Sequence, residues 1–221
     1  MAEFLAAALE HGFIQRALAA GVLASIACGV VGSYVVVRRI TYIAGGIAHC
    51  VLAGLGAARY LSTVHGWSWL RPMHGAVVAA LLAAVLIAVI SRYAEEREDT
   101  VIGALWAVGM AVGVLFIAAT PGYTEDLMSY LFGNILLVAP ADLWLMVVLD
   151  LVVVAAALLL FDQLQAVCFD EEFARLRGLA THLYYLLLLC LTALTVVLLV
   201  SVVGIVLVIA LLTLPVAIAG H

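Results

Sequence analysis

The 221-residue chain contains no lysine, and only 10% of its residues are charged. The first absence excludes a P-loop nucleotide site, whose lysine must reach the phosphates. The second excludes an ordinary soluble domain, in which roughly a quarter of the residues carry charge. Four cysteines, Cys28, Cys50, Cys168 and Cys190, form no CxxC pair, so neither a disulfide framework nor a zinc-finger site is indicated. HExxH and GxSG are both missing, and His49 has no adjacent nucleophile with which to build a triad, which argues against an intramembrane protease. A net charge of -5 carries no nucleic-acid signal. No basic start precedes the first apolar run and no small-residue cleavage site follows it, so that segment is expected to stay in the membrane as a helix.

What the chain has in abundance is apolar length. Hydrophobic residues make up 68% of it, in several runs of about 17 to 25 residues, the length a bilayer core requires. The fold class is therefore all-α: a polytopic helical membrane protein with about seven spans or partial spans. Spans are predicted over 13–37, 40–61, 74–90, 101–119, 142–161 and 183–203. Tyr130 to Val138 is too short to cross and reads as a partial or re-entrant helix, stopped by Pro140 before Asp142 caps the fifth span. The uncharged run from Val196 to Ala219 fits one tilted helix, two short ones, or a helix broken at Gly204.

All basic residues outside histidine are arginine, and their distribution sets the expected orientation. Arg38, Arg39, Arg92, Arg97, Arg175 and Arg177 fall in alternate loops, whereas Arg16, Arg59 and Arg71 fall elsewhere. The first group should be cytoplasmic, which puts the amino terminus and the Trp67/Trp69 connection outside.

The segment Phe169-Asp-Glu-Glu-Phe-Ala-Arg-Leu-Arg-Gly178 reads as a short amphipathic helix in one of those cytoplasmic loops. Phe169, Phe173 and Leu176 share a face, Asp170, Glu171 and Glu172 crowd the first turn, and Arg175 and Arg177 complement the last before Gly178. The acidic first turn argues against lying on an anionic leaflet, so docking into a cytoplasmic partner fits better than an interfacial helix.

His49 sits within an apolar, glycine-rich span, where an ionisable side chain is a functional hypothesis by default. The alternative is a buried histidine satisfied by a neighbouring hydroxyl or carbonyl. Asp150, near the middle of the fifth span, must face an interior or stay protonated, and serves either a metal path or a helix–helix hydrogen bond. The glycines of the second span, Gly45, Gly46, Gly54 and Gly56, and the Gly109/Gly113 pair of the fourth favour close helix packing. The adjacent Gly45-Gly46 pair would also permit local unwinding beside His49. His65 and His74 flank the outer loop, as ordinary loop histidines or as receivers of an ion.

Taken in order, Arg38-Arg-Ile-Thr-Tyr, Ala48-His-Cys-Val-Leu, the Asp99 to Met110 opening of the fourth span, Leu127-Met-Ser-Tyr-Leu-Phe-Gly-Asn, the Phe169 to Gly178 loop and Val203 to Pro215 resemble the membrane-permease subunits of ABC transporters that import zinc, manganese or iron(II). The resemblance implies a BtuC-like metal ABC permease fold, with residues 1–221 as one transmembrane domain and 169–178 as a coupling helix seated in an ATPase. It implies a second copy of the permease, cytoplasmic ATP-binding subunits and an extracytoplasmic metal-binding protein, all at the inner membrane of a prokaryote. No permanent cofactor is implied, only a transported zinc or manganese ion, and ATP hydrolysis falls to a partner, so the chain itself is not an enzyme. Relatives usually carry roughly one more span, which implies a C-terminally incomplete domain. One ligand carries over, His49. Many relatives place an aspartate one turn before it, where this chain has Gly45, leaving Cys50 and Asp150 as available substitutes, Asp150 the better of the two. A passive channel, or a permease for a vitamin or siderophore, is the alternative function.

Overall fold

Hydrocarbon offers no water to backbone N–H and C=O groups, so an apolar chain that crosses a membrane satisfies them internally as helix. The computed structural model describes residues 11–93, 98–122, 131–135 and 138–219. Among these lie α1 (Gly12–Val37), α2 (Thr41–Val64), α3 (Pro72–Tyr93), α4 (Glu98–Ala119), α5 (Pro140–Leu159), α6 (Phe161–Phe169), α7 (Glu171–Leu176) and α8 (Thr181–Ala219), with no strand. Six of them, all but α6 and α7, are long and apolar enough to cross a bilayer. Arg97, residues 127–130 and 136–137, Gly220 and His221 lie outside the described residues. Of the expected partial helix, Leu131 and Phe132 are helical.

The start of α5 differs from the expectation. Pro140 opens the helix rather than stopping the preceding one, and Ala139 occupies the capping position without a side-chain bond. A proline suits the first helical position, where its missing N–H would be unpaired anyway. Asp142 lies in the first turn, and its carboxylate pairs with Arg71 at 3.1 Å.

Of the arrangements open for 196–219, the structure takes the broken helix. Within α8, Gly204 has φ 75° and ψ 172°, with helix on both sides. That backbone region is essentially restricted to glycine. Against the break lies Gly133, itself at φ 71°, so close that a Cβ on either glycine would strike the backbone nitrogen of the other. The short 131–135 segment and the hinge of α8 thus meet backbone to backbone.

The first half of α8 forms the centre of the bundle. Leu188, Leu189, Val196, Val197, Leu198 and Leu199 are buried there, and the buried hydroxyls of Thr192 and Thr195 donate to Leu188 O at 2.8 Å and Leu191 O at 2.9 Å. α8 packs against α1, α3 and α2, while α2 is held between α3 and α4. α5 packs on α1 and α8. Small residues make these approaches possible, as membrane helices require in the absence of a hydrophobic drive between them. A Cβ at Gly109 would stand 2.8 Å from Cys50 Cα, and one at Gly113 would stand 2.7 Å from the Leu52 backbone. The glycine spacing of the fourth span therefore packs α4 onto α2.

The two ends of the bundle differ in chemistry. At one end, Arg38, Arg39, Arg92 and Glu171 line a common cavity, bringing together the α1–α2 turn, the end of α3 and α7. At the other, Trp67 and Trp69 stack with ring centroids 6.3 Å apart, beside the Arg71–Asp142 pair.

Candidate functional site

His49 stands near a third of the way along α2, about 12 Å from its start at 1.5 Å per residue. The helix is unbroken from Thr41 to Val64, so the Gly45-Gly46 pair does not unwind it. These glycines admit neighbours instead. A Cβ at Gly46 would lie 2.8 Å from Ile102 Cγ2, and one at Gly45 would lie 2.8 Å from Ile209 Cδ1 and 3.7 Å from the Trp106 ring. The close approach of α4 sets the indole of Trp106 flat against the His49 imidazole, with centroids 4.3 Å apart and planes 18° from parallel. Tyr42 extends the cluster, its ring 6.1 Å from that of Trp106.

The stack fixes the plane of the imidazole, and with it the direction in which the in-plane lone pair of its unprotonated nitrogen points. His49 Nδ1 is buried with no hydrogen-bond partner. A satisfied core histidine would have found a hydroxyl or carbonyl there. In hydrocarbon such an unmet lone pair or N–H is costly.

The substitute ligands fall elsewhere. Cys50 is buried and turned to the α4 backbone, its Sγ donating to Leu105 O at 3.5 Å. Asp150 is 7% exposed on the inner face of α5, the helix packed on α1 and α8 rather than on α2. Its Oδ1 is also buried without a partner, and one turn away Met146 Sδ receives the Ser201 hydroxyl at 3.7 Å. Among the described residues no three His, Cys, Asp or Glu side chains come together as a metal-holding group. Within one chain, His49 and Asp150 are two separate unsatisfied polar groups on different helix seams.

The histidines flanking the α2–α3 connection have local roles. His74 Nδ1 accepts from Arg71 N at 3.3 Å, tying the start of α3 as the returning arm of a capping box does. His65 ends α2 and sits edge-on to Tyr60, 6.3 Å between centroids.

The acidic loop folds as its composition dictates, with one change of boundary. Phe169 ends α6, and Asp170, at φ -149°, breaks from it to cap α7, its Oδ1 accepting from Phe173 N at 2.9 Å. Gly178, at φ 83°, closes the helix in a Schellman arrangement: Gly178 N donates to Arg175 O at 3.0 Å and Leu179 N to Ala174 O at 3.1 Å. The helix is thus Glu171–Leu176, six residues, with its caps outside it. Phe169, Phe173 and Leu176 are 70%, 51% and 85% exposed, while Ala174 is buried beneath. Arg177 covers the Phe173 ring at 4.7 Å. Glu171 turns inward and pairs with Arg38 in the α1–α2 turn, and the Arg38 guanidinium lies over the Tyr185 ring at 5.6 Å. Below it, burial pushes the Cys168 thiol up, against the opposing pull of Arg38, so it stays neutral and a poor metal ligand near neutral pH. Sequence reasoning named both the Glu171 and Arg38 segments without pairing them, and Trp106 lay inside a quoted motif without a role. Contacts between helices have no local signal in a single sequence.

This arrangement has clear relatives. A probable metal transport system membrane protein of Chlamydia trachomatis is 42% identical over 196 residues, covering 89% of this chain and 67% of that protein. The manganese import system permease protein ScaB of Streptococcus parasanguinis is 32% identical over 217 residues, covering 98% and 75%. Among solved structures, PsaBC from Streptococcus pneumoniae in complex with Fab superimposes with a TM-score of 0.84 at 32% identity, over 99% of this chain and 76% of that one. The ABC 3 transport family profile matches residues 10–221, and the chain belongs to that family as a multi-pass membrane permease.

Proposed function

We propose that this permease is the membrane subunit of an importer for a divalent transition-metal ion, with manganese the first candidate and zinc and iron(II) behind it. The observation that carries the reading is the His49 imidazole, held flat by Trp106 in a glycine-lined seam with its Nδ1 unmatched. Manganese leads because relatives such as ScaB are named for it; the imidazole by itself suits zinc and iron(II) at least as well. The orientation follows the arginine bias: the end bearing Arg38, Arg92 and α7 faces the cytoplasm, and the Trp67/Trp69 end faces outward.

In this reading an extracytoplasmic protein delivers the ion at the tryptophan end, and His49 ligates it in transit. With Gly45 in place of a carboxylate, one imidazole leaves the remaining coordination to water and to donors from a second copy of the permease. Weak, exchangeable ligation is what a carrier needs, since a closed four-ligand site would retain the ion. Asp150, on another seam, supplies a second station on the path, a carboxylate. The exposed apolar trio Phe169, Phe173 and Leu176 docks into a separate ATPase, which an ATP-driven mechanism needs because these 221 residues hold no P-loop lysine. Closure of two such ATPases moves α7 and alternates which side of His49 meets water.

The test is metal uptake into vesicles containing the full permease with its ATPase and binding protein, comparing wild type and His49→Ala for manganese, zinc and iron(II). Loss of uptake of one ion with assembly intact is the expected result and identifies the cargo. Undiminished uptake of every ion would return His49 to a structural role.

A further inference from the structure

The cavity at the arginine end lies apart from the His49 seam. Its volume is about 580 Å³, within the usual range for a bound small molecule. Arg38, Arg39, Arg92, Ser91 and His182 supply its polar wall together with Glu171, whose carboxylate is paired with Arg38. Ala88, Val89, Leu183 and Leu186 supply its apolar one. The polar wall comes from helix ends and the apolar wall from the adjoining turns of two spans, so the cavity straddles the level at which a bilayer passes from headgroup to chain.

Arg39 is the informative residue. The turn that ends α1 is a Schellman motif: Arg39 N donates to Val36 O at 3.1 Å and Ile40 N to Val35 O at 3.0 Å. Its left-handed position, usually glycine, is held by Arg39 at φ 62°, the one described residue other than glycine with positive φ. An arginine kept where the backbone favours glycine points to a use for its guanidinium. Arg39 is exposed and lines the cavity, whereas neighbouring Arg38 is already engaged by Glu171 and Tyr185. The cavity also lies at the amino-terminal end of α8, where helix N–H groups favour an anion.

We infer that this cavity is a binding site for a phosphate-bearing anion, and that its occupant is the headgroup of an anionic phospholipid from the cytoplasmic leaflet. The inference rests on the orientation proposed above. Basic pockets between helices at that face suit such headgroups, and the apolar wall, of no use to a free phosphate, would receive the start of an acyl chain. Bound there, the lipid would bridge the α1–α2 turn, α3 and α8 beside the contact between Arg38 and α7.

The experiment uses the full permease with its ATPase, released from nanodiscs of mixed phosphatidylglycerol and phosphatidylcholine and weighed by native mass spectrometry. Arg39→Gly is the variant of choice, because glycine fits the turn and removes only the side chain. Wild type should retain phosphatidylglycerol over phosphatidylcholine, and Arg39→Gly should retain it about fivefold less, the loss of one arginine contact near a membrane surface, with thermal stability unchanged or raised. Equal retention by the two proteins overturns the site. If 10-fold excess inorganic phosphate displaces the lipid signal and protects wild type as well as phosphatidylglycerol does, the occupant is a soluble phosphate and the lipid assignment falls. If Arg39→Gly sheds the ATPase but keeps the lipid, the arginine serves the protein interface instead. None of these readouts depends on metal uptake, so failure here is distinct from failure of the transport reading.

Discussion

The imidazole of His49 and the indole of Trp106 lie face to face, 4.3 Å between centroids and 18° from parallel. Such a pair is worth about 0.5–1.5 kcal/mol beyond its buried area, but its consequence for function is orientation. Contact with Trp106 restrains rotation of the ring and so fixes where its in-plane nitrogen lone pair points. Trp106→Phe keeps an aromatic face and should keep most uptake. Trp106→Ala frees the ring to rotate and should reduce uptake efficiency by a few-fold to about tenfold, the cost of up to about 1.4 kcal/mol in orientation. Initial rates of manganese uptake at several ion concentrations would check this. Equal rates in wild type and Trp106→Ala would show that the stack is packing alone.

For the ion ligation proposed at His49, Gly45 is the position at which a stronger site can be built. An aspartate there would stand one helical turn before His49 and share its face, placing a carboxylate and an imidazole on the same ion. Ile209 Cδ1 must turn aside, because a Cβ at Gly45 would come within 2.8 Å of it, and this is the mobile end of a flexible side chain. Gly45→Asp should therefore bind manganese at least about tenfold more tightly, the effect of one further charged ligand, with Gly45→Ala as the steric control. Turnover should fall as affinity rises, since release becomes the slow step. Competition against a metal-sensitive dye measures the first quantity and uptake at saturation the second. Tighter binding by Gly45→Ala as well would sink the carboxylate argument.

Arg38 and Glu171 join the α1–α2 turn to α7. Their side chains are 24% and 42% exposed, so the pair should contribute less than about 1 kcal/mol to stability. Its place in the structure matters more than its strength, because it is a direct polar link from α7, proposed above to dock the ATPase, to the turn leading into the helix that carries His49. Arg38→Glu and Glu171→Arg should each leave the thermal midpoint nearly unchanged while lowering uptake per ATP hydrolysed. The double exchange should restore much of that ratio. Single variants that keep full coupling would assign the work to the apolar face of α7 alone.

The spans and the acidic loop could be read from the sequence because a bilayer imposes length and caps impose residue type. Phe169 through Gly178 contained a helix because Asp170 and Gly178 are good at stopping one, although Phe169 itself falls to the preceding helix. The glycines divided differently. Gly45 and Gly46 looked able to unwind α2, yet Ile102 and Ile209 fill the space and the helix runs on. Gly204, at the break in one of the three arrangements the sequence leaves open for 196–219, is where the chain does break, but the choice among the three is not legible locally because the break meets Gly133 from a segment far away in sequence. The same holds for Trp106 against His49 and Arg71 against Asp142. His49 could be named from its setting, but what it touches is a property of the packed bundle.

The hinge in α8 depends on two glycines at once, and this gives the sharpest structural prediction. Gly204 is at φ 75°, ψ 172°, where a side chain costs about 1–3 kcal/mol in strain alone. A Cβ on it would also strike Gly133 N, Leu131 O and Phe132 C, which are backbone atoms and cannot turn aside. Gly204→Ala should therefore lower the thermal midpoint by about 5–10 °C in detergent, at 2–4 °C per kcal/mol for a chain of this size, or prevent accumulation of folded protein. Gly133→Ala, at φ 71° with Gly204 N in its path, should do nearly the same. The double variant should be little worse than either single one, because both break one contact. Gly29→Ala, in α1 with nothing within 4 Å of its Cβ, is the control and should be neutral or stabilising. Fluorescence-monitored melting of the four variants decides the matter. A Gly204→Ala protein as stable as Gly29→Ala would mean that α8 can run straight through position 204, with the 131–135 segment displaced.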